Sequence, residues 1–373
     1  MPTLFECSER DDTFSMAAKK RPVTGGVDTH GHTHHAAVLD RVGRVLGDRQ
    51  FPATAVGYQA LLAWLRSFGR VAKVGVEGTG SYGAGLARHL TAHGIALVEV
   101  DRPDRRTRRA KGKSDPIDAI AAARVALSGQ ACGTPKTRTG PVEAIRALRV
   151  ARGGAVKART AALNQLHGLI TAAPEVLRAE LTALPTATRV ATCAAWTVDD
   201  ARLGNPVEAT KAALAATALR VQALTAEITQ ADKRLRPLVA RTAPRLSALT
   251  GVGAEVAGQL LTTAGDNPDR LRSEAALAHL CGTAPLPASS GRTNRHRLNR
   301  GGDRQANRAL YTIALCRMRY HPTTQAYVER RTKQGLTKKE IMRCLKRYVA
   351  REIYKALRAI DPAGRTSPHQ EVA

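Results

Sequence analysis

The sequence predicts an α/β amino-terminal domain, a helical and coiled-coil middle region and a mainly α-helical carboxy-terminal domain. Three observations predict it. Residues 23–129 alternate short apolar runs with helical stretches, the pattern of strands exchanging with helices. Residues 206–241 carry apolar side chains in alternating steps of three and four, the spacing of a coiled-coil seam. The 373 residues hold 43% hydrophobic side chains but only 3% aromatic ones, so packed cores are expected and Ala, Leu and Val must build them. The length suggests two or three domains. Against 58 Lys or Arg stand 31 Asp or Glu, a formal net charge of +27. Such a chain binds polyanions, which places nucleic acid ahead of a small acidic metabolite as partner.

The elements follow in order. Gly26, Val27 and Asp28 begin a strand, Ala36 to Asp40 form a second after a turn, and Arg44 to Leu46 with Gln50 and Phe51 form a third, a meander. Thr54 caps a helix on which Tyr58, Leu61, Leu62 and Leu65 share a face. Residues 71–77 read as a strand, 83–93 as a helix and 95–100 as a further strand. Three hairpin strands followed by βαβ fit a sheet of the ribonuclease H type. A basic stretch then carries Arg102, Arg105, Arg106, Arg108, Arg109, Lys111 and Lys113. Ser114 after it can cap a helix, with Pro116 tolerated in the first turn.

Long helices are expected at 143–171 and 206–241. Leu214, Thr217, Val221, Leu224, Ile228, Ala231, Leu235 and Leu238 form the seam of the second, which suits either an intramolecular helical hairpin or a dimerising coiled coil. A compact basic segment covers 246–320, and an amphipathic basic helix over 337–360 closes the chain. Cys7, Cys132, Cys193, Cys281, Cys316 and Cys344 are scattered, without a CxxC pair or zinc-finger spacing, and read as reduced cytosolic thiols. The amino terminus has no signal-peptide run, and nowhere do eighteen apolar residues stand together, so a cytoplasmic protein without a membrane segment is expected. Met16 is an alternative start to Met1, because the residues before it carry no pattern.

Four carboxylates stand out by position: Asp28 in the first strand, Glu77 at the end of the fourth, and Asp115 with Asp118 at the start of a helix. The two strands are neighbours in a ribonuclease H sheet, and helix residues three apart share a face, so all four can converge. Convergent carboxylates need cations to stay ionised together. One or two Mg²⁺ ions, a pair lying roughly 4 Å apart, would neutralise them and serve phosphoryl transfer. The plain reading of any one of the four is a structural turn Asp or Glu. The glycines of Gly78-Thr79-Gly80-Ser81-Tyr82-Gly83 suit close approach to a phosphate backbone or an ordinary strand-to-helix connection. His30, His32, His34 and His35 suggest a transition metal, but no complementary Cys or His cluster exists, and solvent-facing or nucleic-acid-facing imidazoles are the expectation.

Leu249-Thr250-Gly251-Val252-Gly253 resembles the hairpin of a helix-hairpin-helix, where Gly251 and Gly253 would offer backbone N–H groups to a phosphate. The densest signal is Ser289-Ser290-Gly291 among Arg292, Arg295, Arg297, Arg300, Arg304 and Arg308. A hydroxyl beside glycine in an Arg-rich loop can attack a phosphodiester while the arginines stabilise the added charge. The plain alternative is a Ser-Gly turn on a positive surface.

The segments GVDTHGHTHHAAVLD, VGVEGTGSYG, KSDPIDA, LTGVGAEVAGQLL and CGTAPLPASSGRTNRHRLNRGGDRQANRALY together resemble the DEDD transposases of the insertion sequence 110 family, over residues 23–354. The resemblance implies a RuvC-like domain whose four metal-binding carboxylates are Asp28, Glu77, Asp115 and Asp118. It implies a carboxy-terminal transposase domain whose serine before glycine is Ser290, with Ser289 the near alternative. It further implies a nucleoid-associated bacterial DNA recombinase that cuts and rejoins strands at element ends and target. The serine would hold a covalent DNA end, Mg²⁺ would occupy the carboxylate site, and the two sites would meet between subunits of a dimer or tetramer. A structured guide RNA would pair with the DNA, leaving the protein to read shape and backbone. Residue 31 departs from many relatives in being glycine, and the turn is unusually rich in histidine.

The organisation expected is a disordered tail over 1–21, a RuvC-like DEDD domain over 22–135, a helical and coiled-coil region over 136–242, a transposase domain over 243–361 and a second tail over 362–373. Two other functions compete. A structure-selective nuclease of the Holliday-junction resolvase type would use water as nucleophile and need no Ser290. A nucleic-acid-binding or assembly protein would need neither site.

Overall fold

The computed structural model describes residues 21–100, 114–129, 133–292 and 296–359. The chain forms two compact units, Met1–Pro135 and Lys136–Ala373. The first is a mixed α/β sheet domain and the second is mostly helical. The basic stretch 102–113, Arg295, and both expected tails apart from Arg21 lie outside the described residues.

In the first unit, strands β1 (Pro22–Thr29), β2 (Thr33–Leu39), β3 (Val45–Pro52), β4 (Arg70–Glu77) and β5 (Leu97–Val100) form one sheet in the order β3-β2-β1-β4-β5. The meander β1-β2-β3 is antiparallel, whereas β4 pairs in parallel with β1 and β5 in parallel with β4. Helices α1 (Ala55–Ser67) and α2 (Ala84–Ala92) provide the two crossovers. Thr54 caps α1 as expected, its side chain accepting from the Gly57 N–H. Leu61, Leu62 and Leu65 of α1 and Leu86 and Leu90 of α2 share a buried cluster with Val23, Val27, Val74 and Val76 of the sheet. Each such leucine contributes roughly 1.5–3 kcal/mol by leaving water.

The second strand starts three residues earlier than the sequence suggested. His34 is fully buried and stacks on Tyr58, ring centroids 5.6 Å apart, so a polar-looking start belongs to the core. Helix α3 (Asp115–Ser128) covers part of the sheet through Ala119, Ala122, Ala123 and Ala126. Ser114 occupies its N-cap position but makes no capping hydrogen bond through its side chain. Left-handed Gly129 ends the helix, with φ +70°.

In the second unit, α4 (Pro141–Thr171) and α7 (Pro206–Thr242) pack antiparallel. At one end Val142 and Ile145 meet Leu235 and Val239, and at the other Ala162, Leu166 and Ile170 meet Leu214, Ala218 and Val221. Between them run α5 (Glu175–Thr182) and α6 (Thr186–Ala194), two short helices that the sequence reading left unassigned. The predicted seam is used within the chain: Leu214, Thr217, Val221, Ile228 and Leu235 are buried, while Leu224, Ala231 and Leu238 stay partly exposed. Arg152 and Asp232 tie the two long helices together at 2.6 Å.

The base of this hairpin continues into a second core with α8 (Pro244–Ser247), α9 (Ala254–Ala264), α10 (Glu274–Leu280), α11 (Arg304–Tyr320) and α13 (Lys338–Arg358), flanked by α12 (Pro322–Lys333). Helix α13 opens on a capping box between Thr337 and Glu340 and buries Ile341, Leu345, Val349, Ile353 and Leu357 along one face. A two-strand hairpin, β6 (Leu286–Pro287) with β7 (His296–Arg297), projects before α11.

Candidate metal centre and nucleic-acid surface

Two glycines bring the first-unit carboxylates together. A Cβ at Gly26 would lie 2.2 Å from the Ala123 nitrogen, and one at Gly75 would lie 2.4 Å from the Ala122 oxygen. Helix α3 therefore rests directly on strands β1 and β4, which pair Gly26 with Gly75. Strand side chains alternate, so Asp28 and Glu77, two residues further along, lie on the same face of the sheet. The first turn of α3 carries Asp115 and Asp118. Thr29 fixes the strand ends by donating its hydroxyl to the Glu77 carbonyl at 2.8 Å. Gly78 follows in the left-handed region at φ +68°, its carbonyl accepting from the N–H groups of Ser81 and Gly83. That geometry makes the glycine-rich segment a tight strand-to-helix connection.

Asp28, His30 and Asp115 each offer a ligand atom, and all three atoms lie within 4.8 Å of one another. His30 stands between the carboxylates, with Nδ1 3.8 Å from Asp28 Oδ2 and Nε2 3.9 Å from Asp115 Oδ1. These spacings are too long for hydrogen bonds. An imidazole gives one nitrogen to an ion, and one ligand atom from each of the three residues lies within 4.8 Å of the others, near the roughly 3–4 Å that separates ligands around one cation with bonds of about 2.1 Å. The donor chemistry fits a divalent ion: carboxylate oxygen suits Mg²⁺ and Mn²⁺, and imidazole adds an affinity for transition metals. Glu77 and Asp118 are not part of this close group; Asp118 is buried one helical turn beyond Asp115, and Glu77 is half-buried. His30 is the residue that sequence reasoning placed among solvent-facing imidazoles. Its position two residues after Asp28 was the available signal. His34 and His89 do not belong to the group, and burial lowers the pKa of each below the ordinary histidine value.

In the second unit, Gly291 at φ +54° turns the chain so that Ser289, Ser290 and Arg292 are all exposed near the tip of the β6-β7 hairpin. Arg292, Arg297, Arg300, Arg304 and Arg308 are likewise exposed, and none pairs with a carboxylate among the described residues. The loop base is closely packed. Gly302 packs so closely on Gly282 that a Cβ would lie 2.3 Å from its nitrogen, and Asp303 caps α11 while accepting from Thr263 at 2.8 Å. The Gly251 hairpin leans on α11, where Arg317 donates to the Thr250 carbonyl at 2.8 Å. Gly253 lies exposed at the start of α9. Cys193, Cys281, Cys316 and Cys344 are free thiols; burial pushes Cys281 up to about 12, which keeps it protonated and non-nucleophilic. Among the described residues no helix is long and apolar enough to cross a membrane.

Fold and site define a basic protein of two units, one carrying a carboxylate–imidazole cluster at the end of a mixed sheet, the other an Arg-rich loop bearing exposed serines. Residues 25–173 match the DEDD-type transposase profile of IS110 elements, and residues 243–329 match the transposase profile of the IS116/IS110/IS902 family. The chain belongs to the IS110 family of transposases. It is also 34% identical over 117 residues to an insertion element IS110 uncharacterized 43.6 kDa protein of Streptomyces coelicolor. That match covers 31% of this chain and 28% of the relative.

Proposed function

We propose that the protein is a DNA transposase that cuts and rejoins strands, with Ser290 as nucleophile and Asp28, Glu77, Asp115 and Asp118 as a divalent-metal site. The single observation that carries this reading is the convergence of Asp28, His30 and Asp115 at the sheet end in a chain of net charge +27. The strand order β3-β2-β1-β4-β5, with only the meander antiparallel, supports a RuvC-like first domain over 22–135. The remaining functional divisions are a helical region over 136–242 and a transposase domain over 243–361. The seam residues left partly exposed on α7 are available for self-association to a dimer or tetramer.

Mg²⁺ or a similar ion, when bound, would polarise a phosphate oxygen and stabilise a leaving alkoxide. The chain's own groups do the rest. Asp28 and Asp115 would orient the ion, with His30 as a nitrogen donor between them. The exposed Ser290 hydroxyl would attack a backbone phosphorus, forming an Oγ–P bond as a sugar oxygen departs. The serine proton is lost and the departing oxygen gains one. Reversal by another strand's hydroxyl would rejoin the DNA and free the serine. Arg292, Arg295 and Arg297 would stabilise the added negative charge. A guide RNA would supply sequence choice through base pairing, which suits an Arg-rich surface that reads backbone.

The test is strand cleavage and exchange on DNA spanning an element junction, with RNA from the adjacent noncoding region and Mg²⁺. Asp28→Ala and Asp118→Ala are expected to abolish strand exchange while leaving nucleic-acid binding within about two-fold. Full exchange by either variant would remove the carboxylate assignment.

A further inference from the structure

A pocket of about 550 Å³ opens between the loop Gly282–Pro285, strand β7 with Leu298 and Asn299, and helix α13. That volume falls within the roughly 300–1,000 Å³ of small-ligand sites. Its cations are not all neutralised. Glu274 pairs with Arg347 at 2.9 Å and with Arg351 at 3.1 Å, whereas among the described residues Arg297 forms no salt bridge and Arg343 meets a carboxylate, Glu340, only at longer range, where its charge helps lower the Glu340 pKa. Lys346 is half-buried, and its Nζ donates to the neutral Asn307 Oδ1 at 2.9 Å. Asn307 is itself fixed, donating to the carbonyls of Cys281 and Gly282 at 2.7 and 3.2 Å. The ammonium is thus held in place by an amide and repelled by Arg343, and both burial and that repulsion lower its pKa. Such an arrangement is relieved by an anion bound between the two.

The same pocket has an apolar wall. Leu298 and Tyr348 are large side chains left 56% and 48% exposed. The Tyr348 ring is braced by Tyr327, edge-on at 5.6 Å, and by the Arg351 guanidinium 5.8 Å from its centre. A braced aromatic face next to unpaired cations suits a phosphate with a base attached, because any base can stack on the ring while the cations track the backbone.

We propose that this pocket takes one unpaired nucleotide of a polynucleotide strand, with its phosphate on Arg343 and Lys346 and its base against Tyr348. The proposal rests on the nucleic-acid reading above. It adds a site beyond the exposed arginines, one that would hold a strand splayed out beside the Ser290 loop.

The test uses the full chain and a fluorescein-labelled single-stranded thymidine oligomer of about 20 nucleotides, followed by anisotropy across salt concentrations. Tyr348→Ala is expected to weaken single-strand binding roughly ten-fold with an unchanged salt slope, since a stacking contact is lost and no charge. Arg343→Gln, at an exposed position that does not threaten folding, is expected to reduce the slope by about 0.7, the share of one phosphate contact on a single strand. A 4-thiothymidine oligomer should crosslink to the peptide holding Tyr348. Wild-type affinity and slope in both variants, with that peptide free of adduct, would overturn the pocket. Adenosine monophosphate binding that depends on Tyr348, beside oligomer binding that does not, would overturn the strand as its source. If the wild-type chain binds neither single-stranded nor duplex DNA, the parent reading fails. If it binds both and the variants match it, only the pocket fails.

Discussion

A Cβ on Gly26 would stand 2.2 Å from the backbone nitrogen of Ala123, so helix α3 meets strand β1 with no side chain between them. The contact sets the height of the helix above the sheet and thereby the distance from Asp115 to Asp28. Gly26→Ala is expected to destabilise the first unit by about 3 kcal/mol, because backbone rather than a flexible side chain must move. Urea unfolding followed through Trp64 fluorescence in a Trp196→Phe background measures it. Gly153→Ala, in the second unit and followed by far-UV circular dichroism, is the control: nothing lies within 4 Å of its Cβ position inside α4, and about 0.5–1 kcal/mol of stabilisation is expected there.

His30 between Asp28 and Asp115 leads to a prediction about metal preference. Loss of an imidazole donor should cost more with Mn²⁺ than with Mg²⁺, which favours oxygen ligands. Calorimetric titration of His30→Ala is expected to show Mn²⁺ binding weakened roughly ten-fold, with a much smaller change for Mg²⁺. An unchanged ratio of the two affinities would remove His30 from the site.

Burial holds His34 below the ordinary histidine pKa, and the consequence for stability has a definite sign. Above about pH 6.5 the residue is neutral in both folded and unfolded chains and adds no slope. Below that value the unfolded chain takes up a proton that the folded one resists. Stability therefore falls with falling pH until the lowered folded pKa is reached. His34→Phe should keep the stack on Tyr58 and flatten this part of the profile, measured as the difference in unfolding free energy between pH 7 and about pH 5.5.

Arg304 and Arg308 are exposed, unpaired with any described carboxylate, and one turn apart on α11. If both contact phosphates, each glutamine replacement should reduce the salt slope of duplex binding by about 0.9. Binding isotherms at several salt concentrations provide the measurement, and the double variant should lose about twice as much.

Much of this architecture was legible because its patterns are physical. Strands β1, β4 and β5 announced themselves as apolar runs between turn residues, and Leu61, Leu62 and Leu65 marked one face of α1. The carboxylates were visible by position, since Asp28 and Glu77 end neighbouring strands and Asp115 opens a helix. The start of β2 was not, because a buried histidine stacked on Tyr58 looks polar in one dimension. The place of His30 depends on a turn whose path no periodicity encodes. Helices α5 and α6 are eight and nine residues long, too short for a repeating face to declare itself. The 206–241 spacing reads as a coiled-coil seam that suits either a helical hairpin or a dimer, and spacing alone does not choose between them; Ala162, Leu166 and Ile170 of the same chain cover much of it.

The central claim is that a serine of the Arg-rich loop joins covalently to DNA. The most direct measurement incubates the protein with Mg²⁺, junction DNA labelled on one strand and RNA from the adjacent noncoding region. Wild type is then compared with Ser290→Ala and Ser289→Ala on denaturing gels. The account predicts a protein–DNA adduct in wild type and Ser289→Ala that disappears in Ser290→Ala. Cleavage without adduct in all three proteins would contradict it and point to water as the nucleophile.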